Sequence, residues 1–166
     1  MSTTTTDLES AVLATLISGV AGGGAHLDSS TVLDGLDWTL AGKEVPGAPY
    51  TILQAANHII YWNGYAVAAI RGESPTPPAH WQDGWPGPKA PASEEEWKAL
   101  VRAFKASLAS LLETVKQKRF TDLIVTRNRL DSLRAMTQHV SYHVGQIALL
   151  RRILGSWPPP GGGDSW

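Results

Sequence analysis

A chain of 166 residues, 43% hydrophobic and 17% charged, is long enough for one domain with a substantial core. Its 14 basic and 15 acidic residues leave a net charge of −1, which gives no electrostatic basis for binding nucleic acid or an anionic membrane. The absence of cysteine excludes disulfides, a cysteine nucleophile and thiolate-ligated metal, and leaves histidine as the only nitrogen ligand in quantity.

The first residues, Met1 to Asp7, lack the basic start and apolar run of a signal peptide. No apolar stretch approaches bilayer length, so a soluble cytoplasmic protein is the expectation. Asp7 to Val20 reads as a first helix, with Leu8, Val12, Leu16 and Val20 at helical spacing, ended by Gly22-Gly23-Gly24. A short stretch follows, capped by Asp28 or Ser29 and carrying Val32, Leu33 and Leu36; it reads as a broken extension of the first helix. Residues 41–49 form a turn-rich link containing Pro46, Gly47 and Pro49.

The second long helix runs from Tyr50 or Thr51 to Arg71, with Ile52, Ala55, Ile59, Trp62, Ala66 and Ala69 as its apolar stripe. His58 and Tyr61 lie along its shoulder, and Gly72 closes it. Residues 73–92 are proline-rich and aperiodic. A loop of that length in a small domain commonly covers a site, and Trp81 and Trp85 are expected to dock on the body and wall a pocket. Ser93-Glu94-Glu95-Glu96 forms a capping box for the third helix. Its seam is Trp97, Val101, Phe104, Leu108, Leu111 and Val115. Lys116, Lys118 and Arg119 read as a helix-end group, where cations complement the dipole. Residues 119–125 form a connection, and the fourth long helix spans Arg127 to Leu154, stopped by Gly155. No segment reads as a strand. The fold expected is all-α, an antiparallel four-helix bundle with roughly 3-4 packing, as a single domain over residues 1–166 with a Pro/Gly-rich tail from about residue 155.

The last helix carries two seams. Leu133, Val140, Val144, Ile147 and Leu154 make one, with Thr137 within it. Met136, His139, His143, Gln146, Leu150 and Ile153 make the other, whose three middle positions are polar. A polar island in a buried seam is costly unless each group is satisfied, so a site is the economical explanation. The four-residue spacing of His139 and His143 puts both rings on one helix face, one turn apart, where they can share a metal ion. A third ring from a neighbouring helix would leave one coordination position open, the mark of a catalytic site. Val140 and Ser141 stand where a His-Glu-x-x-His protease would need its glutamate, so that chemistry is excluded. His58, beside Asn57 in mid-helix, is a weaker candidate on spacing alone. His26 suits a turn, and His80 an exposed place in the proline-rich loop.

The chain resembles the DinB/YfiT-like superfamily on these residues: His58 in Ala56-Asn57-His58-Ile59, and the run His139-Val-Ser-Tyr-His143-Val-Gly-Gln146. The similarity continues through Ile147 and Leu149-Leu150-Arg151-Arg152, and covers the Trp-Pro loop of residues 81–88. The resemblance implies a four-helix bundle with one divalent ion held by His58, His139 and His143. It implies relatives that use low-molecular-weight thiols, bacillithiol transferases and mycothiol-dependent isomerases among them, beside many members with no established activity. On that basis the expectation is a metal-dependent transferase or hydrolase acting on a small molecule. With no cysteine of its own, it would take the thiol from a cosubstrate. The alternative is a non-catalytic ligand-binding or stress-associated bundle with a structural metal or none. Zinc, nickel, iron and manganese all accept three imidazoles. Gln146 and Tyr61 are candidate supporting donors around the ion, Tyr142 is assigned to ordinary packing, and no catalytic base is identified. The resemblance also allows a homodimer through exposed helix faces.

Overall fold

Gly22 shows how the first helix ends. Its φ of +83° suits glycine alone, and a Cβ there would lie 2.0 Å from the Leu27 carbonyl oxygen. The computed structural model describes residues 3–117, 123–124 and 127–163. Helix α1 spans Thr3–Ala21 and buries Leu16 and Val20, whereas Leu8 is two-thirds exposed. The next stretch is not an extension of α1. The glycine run reverses the chain, with Gly23 donating to the His26 carbonyl, and a separate 3-10 turn forms at Ser29–Thr31. Asp28 caps that turn through the Ser30 N–H at 2.8 Å, and Val32, Leu33 and Leu36 behind it are buried.

A one-turn helix, α2 (Trp38–Ala41), begins just before the expected link, capped by Asp37. Four residues are about one helical period, so hydrophobic spacing could not reveal it. Helix α3 (Ile52–Ile70) starts at a full capping box: Thr51 Oγ1 accepts from the Gln54 N–H, and Gln54 Oε1 accepts from the Thr51 N–H. The Thr51 hydroxyl also donates to the Lys89 carbonyl at 2.6 Å, which fastens the far end of the proline-rich loop to the start of α3. Within that loop a 3-10 turn forms at Trp81–Gly84.

Helix α4 (Glu94–Val115) begins with half of the expected box. Ser93 Oγ accepts from the Glu96 N–H, but the Glu96 carboxylate reaches one residue further back, to the Ala92 N–H at 2.6 Å. Its seam residues Trp97, Phe104, Leu108, Leu111 and Val115 are all buried. Lys116 pairs with Glu113, while Lys118 and Arg119 lie outside the described residues. A two-residue antiparallel ladder, β1 (Leu123–Ile124) with β2 (Arg127–Asn128), stands where only a connection was expected. Pairs this short carry no readable alternation. Helix α5 (Arg129–Ile153) therefore starts two residues later than the spacing predicts.

The chain forms a helical bundle in which α3 packs on α4 and α5, and α1 packs on the same two helices. Two long-range bonds fix the segment between α1 and α2 to this frame. The buried Trp97 indole N–H donates to the Leu36 carbonyl at 3.1 Å, and the Arg151 guanidinium, 1% exposed, donates to the Val32 carbonyl at 2.6 Å. Among the described residues no helix is long and apolar enough to cross a membrane. The α3–α5 contact places His58 opposite the polar island of α5.

Candidate metal centre

His58 projects from the middle of α3, and His139 and His143 from successive turns of α5. One ligand nitrogen from each ring lies within 4.8 Å of the others. His58 Nε2 and His139 Nε2 are 3.0 Å apart. Two nitrogens bound tetrahedrally to one ion at ~2.1 Å would sit ~3.4 Å apart, so the pair is already at ligand spacing.

The remote nitrogens fix how two of the rings present themselves. His58 Nδ1–H donates to the Gly84 carbonyl at 2.5 Å, which leaves its Nε2 as a bare lone pair facing the other rings. His143 Nδ1–H donates to Gln146 Oε1 at 2.6 Å, with the same result. Second partners of this kind commonly orient metal-binding histidines and raise their basicity. His139 differs, because its Nδ1 is buried without a hydrogen-bond partner. With Nε2 at ligand spacing to His58, Nδ1 is the nitrogen that an ion between the rings leaves unsatisfied.

All three rings are held neutral. Burial lowers His58 to about 4, opposed by its bond to Gly84 and assisted by the neighbouring His143. Burial lowers His139 to about 3, with further repulsion from His143 and then His58. Burial also lowers His143, against the Gln146 bond. Neutral imidazole is the form that binds metal, so burial prepares the donor set near neutral pH. The donor set and its supporting bonds fit a divalent ion.

Aromatic rings wall the cluster. Trp85 stacks on His58 with ring centres 3.8 Å apart, and Tyr50 stacks on the far side of Trp85 at 4.5 Å. Trp62 stands edge-on to His58 and His139. Gly84 fits tightly against Trp62: a Cβ there would lie 2.8 Å from the indole nitrogen. Burial raises the Tyr50 pKa, with Tyr142 adding to the shift and Gln146 opposing it, so its hydroxyl stays protonated.

Over residues 27–147 the chain matches the family model described as DinB superfamily. The chain belongs to the DinB superfamily. No curated protein and no solved structure matches it. The match spans His58, the proline-rich loop and both α5 histidines, so the clustered rings lie inside the DinB region of the chain. The helical architecture agrees with that membership, and a buried three-histidine group is compatible with metal binding.

The structure brings His58, His139, His143 and Gln146 together. Tyr61 packs edge-on against Trp62, one ring removed from the histidines. Tyr142, 63% exposed, lies edge-on against the outer side of His143. Of the two loop tryptophans expected to dock, only Trp85 does so; Trp81 is 74% exposed. The Gly84 carbonyl and the Tyr50 ring join the site without a readable signal. A backbone acceptor has no side-chain signature, and Tyr50 reaches the cluster only because the loop folds back. Trp62 did carry one: it lies one turn beyond His58, on the same face of α3.

Proposed function

We propose that this protein is a metal-dependent enzyme acting on a small molecule, a low-molecular-weight-thiol-dependent transferase or a hydrolase, with His58, His139 and His143 as the ligands. One observation carries the reading: three neutral imidazoles converge, those of His58 and His143 buried and that of His139 half-buried, and the remote N–H groups of the first two are held by Gly84 and Gln146. A divalent ion bound there supplies a Lewis acid that lowers the pKa of a coordinated water or thiol to near neutrality. The chain's own groups do the rest. His58 and His143 stay in fixed tautomers, so their donor nitrogens do not rotate away. Trp85 and Trp62 exclude water from the faces of His58 and His139, which strengthens the local electrostatics. The Tyr50 hydroxyl and the Gln146 amide are the polar groups beside the cluster that can hold a substrate by hydrogen bonds.

Among the described residues the cluster contains no carboxylate, which favours thiol transfer over hydrolysis, because attack by water usually enlists a general base. The chain has no cysteine, so the thiol is a cosubstrate. The test is turnover of small electrophiles with a panel of low-molecular-weight thiols, and of esters with water alone. Activity should appear in metal-loaded protein, vanish on chelation and return on reloading. Loaded protein that turns over neither class would instead indicate a non-catalytic binding bundle.

A further inference from the structure

A cleft of about 370 Å³ opens between residues 45–50 and the last turns of α5, and reaches the histidine cluster through Gln146, which accepts from His143. That volume falls at the lower end of small-molecule sites, roughly 300–1,000 Å³. Its walls include Val45, Ala48, Tyr50, Gln146, Leu149 and Ile153, and among the described residues no charged side chain lines it. Leu149 and Ile153 are each 58% exposed, and with Gln146 they lie on successive turns of one α5 face. Solvent-facing leucine and isoleucine on the wall of a concave, uncharged space favour an apolar ligand body. The polar side chains of the lining, Tyr50 and Gln146, are the two that lead to the cluster. Gln146 accepts from His143, and Tyr50 stacks on Trp85, which stacks on His58. A second cleft, about 510 Å³, shares the 45–50 segment as a wall and is lined also by Glu44, Thr51, Gln54 and Lys89. The two clefts thus differ in chemistry, and an ionised body is disfavoured in the α5 cleft, where among the described residues no lining side chain offers a counter-charge.

We propose that the α5 cleft binds the apolar body of the substrate, a small uncharged molecule that presents one hydrogen-bonding group past Tyr50 and Gln146 toward the histidines; this rests on the metal-centre reading above. The polar partner of the reaction then enters by another route. The probe is benzyl alcohol, with glycerol as its polar counterpart, titrated into the full-length protein and followed by amide NMR shifts. Metal content is measured on the same samples. Benzyl alcohol should shift the amides of Gln146, Leu149 and Ile153 saturably, and glycerol should not. Leu149→Glu places a charge in the cleft at an exposed position that the fold tolerates, and should weaken the probe about tenfold or more with metal content unchanged. Ile153→Glu should act in the same way. Shifts that never saturate, or wild-type affinity retained in both variants, would overturn the proposal. So would shifts at these amides that follow protein concentration instead of probe, since a second copy of the chain would then be the occupant. Saturable probe binding in protein that takes up no metal would refute the metal centre and leave the cleft assignment standing.

Discussion

Gly84→Ala tests whether the proline-rich loop holds His58 in place. In the native structure Gly84 offers its carbonyl to His58 Nδ1–H at 2.5 Å while its Cα faces the Trp62 indole. A Cβ added there would stand 2.8 Å from Trp62 Nε1 and 3.1 Å from two ring carbons, well inside the ~3.5–4.0 Å of an ordinary carbon contact. Trp62 cannot give way cheaply, because its ring is packed edge-on against His58, Tyr61, Tyr65 and His139. The loop must therefore move outward, which lengthens the bond to His58 and frees its ring to rotate. Overpacking of this kind costs about 1–3 kcal/mol, and loss of an orienting partner typically weakens metal affinity about 10–100-fold. Denaturant melts of the metal-free protein measure the first effect, and zinc titration against a competing chelator measures the second. Reduced stability with unchanged affinity would show that Trp62 yielded instead. Stability and affinity both matching wild type would refute the reasoning.

Three further outcomes are expected. Stability of the metal-free protein should fall as pH drops below ~6.5, the ordinary histidine value. Because the native pKa values are lowered, to about 4 for His58 and about 3 for His139, the unfolded chain binds protons that the folded one refuses throughout that window. The slope is at most ~1.4 kcal/mol per pH unit for each histidine, and denaturant midpoints that stay level from pH 7 to pH 5 would contradict it. Trp97→Phe should cost about 1–3 kcal/mol by orphaning the buried Leu36 carbonyl; its melt should shift with metal affinity unchanged. Arg151→Met removes the donor to the Val32 and Ser156 carbonyls and should destabilise by about 2 kcal/mol, read in the same melts.

Periodicity worked where elements were long enough to repeat. The α4 seam and the first α5 seam are buried largely as spaced, the second α5 seam is buried at Met136, His143 and Leu150 and ends in the exposed Ile153, and Gly72 and Gly155, with φ of +88° and +70°, stand just past the ends of their helices. It failed for α2 and for the β1–β2 ladder, each no longer than about one period. It also joined the Asp28–Leu36 stretch to α1, because apolar spacing cannot register the reversal made by Gly22 and Gly23. At the site, the polar island of α5 was legible because buried imidazoles break an apolar pattern. His58 alone was not, since one histidine on a helix shoulder has many uses; the family resemblance supplied it. The Gly84 carbonyl and the stacking of Trp85 between Tyr50 and His58 arise from tertiary folding of an aperiodic loop, for which spacing holds no information.

Metal stoichiometry tests the central claim most directly. Purified protein should carry about one divalent ion per chain after loading and desalting, as a single three-histidine site requires. His58→Ala, His139→Ala and His143→Ala should each lose most of it while remaining helical by circular dichroism. Folded variants that retain the wild-type metal content would contradict the three-histidine centre.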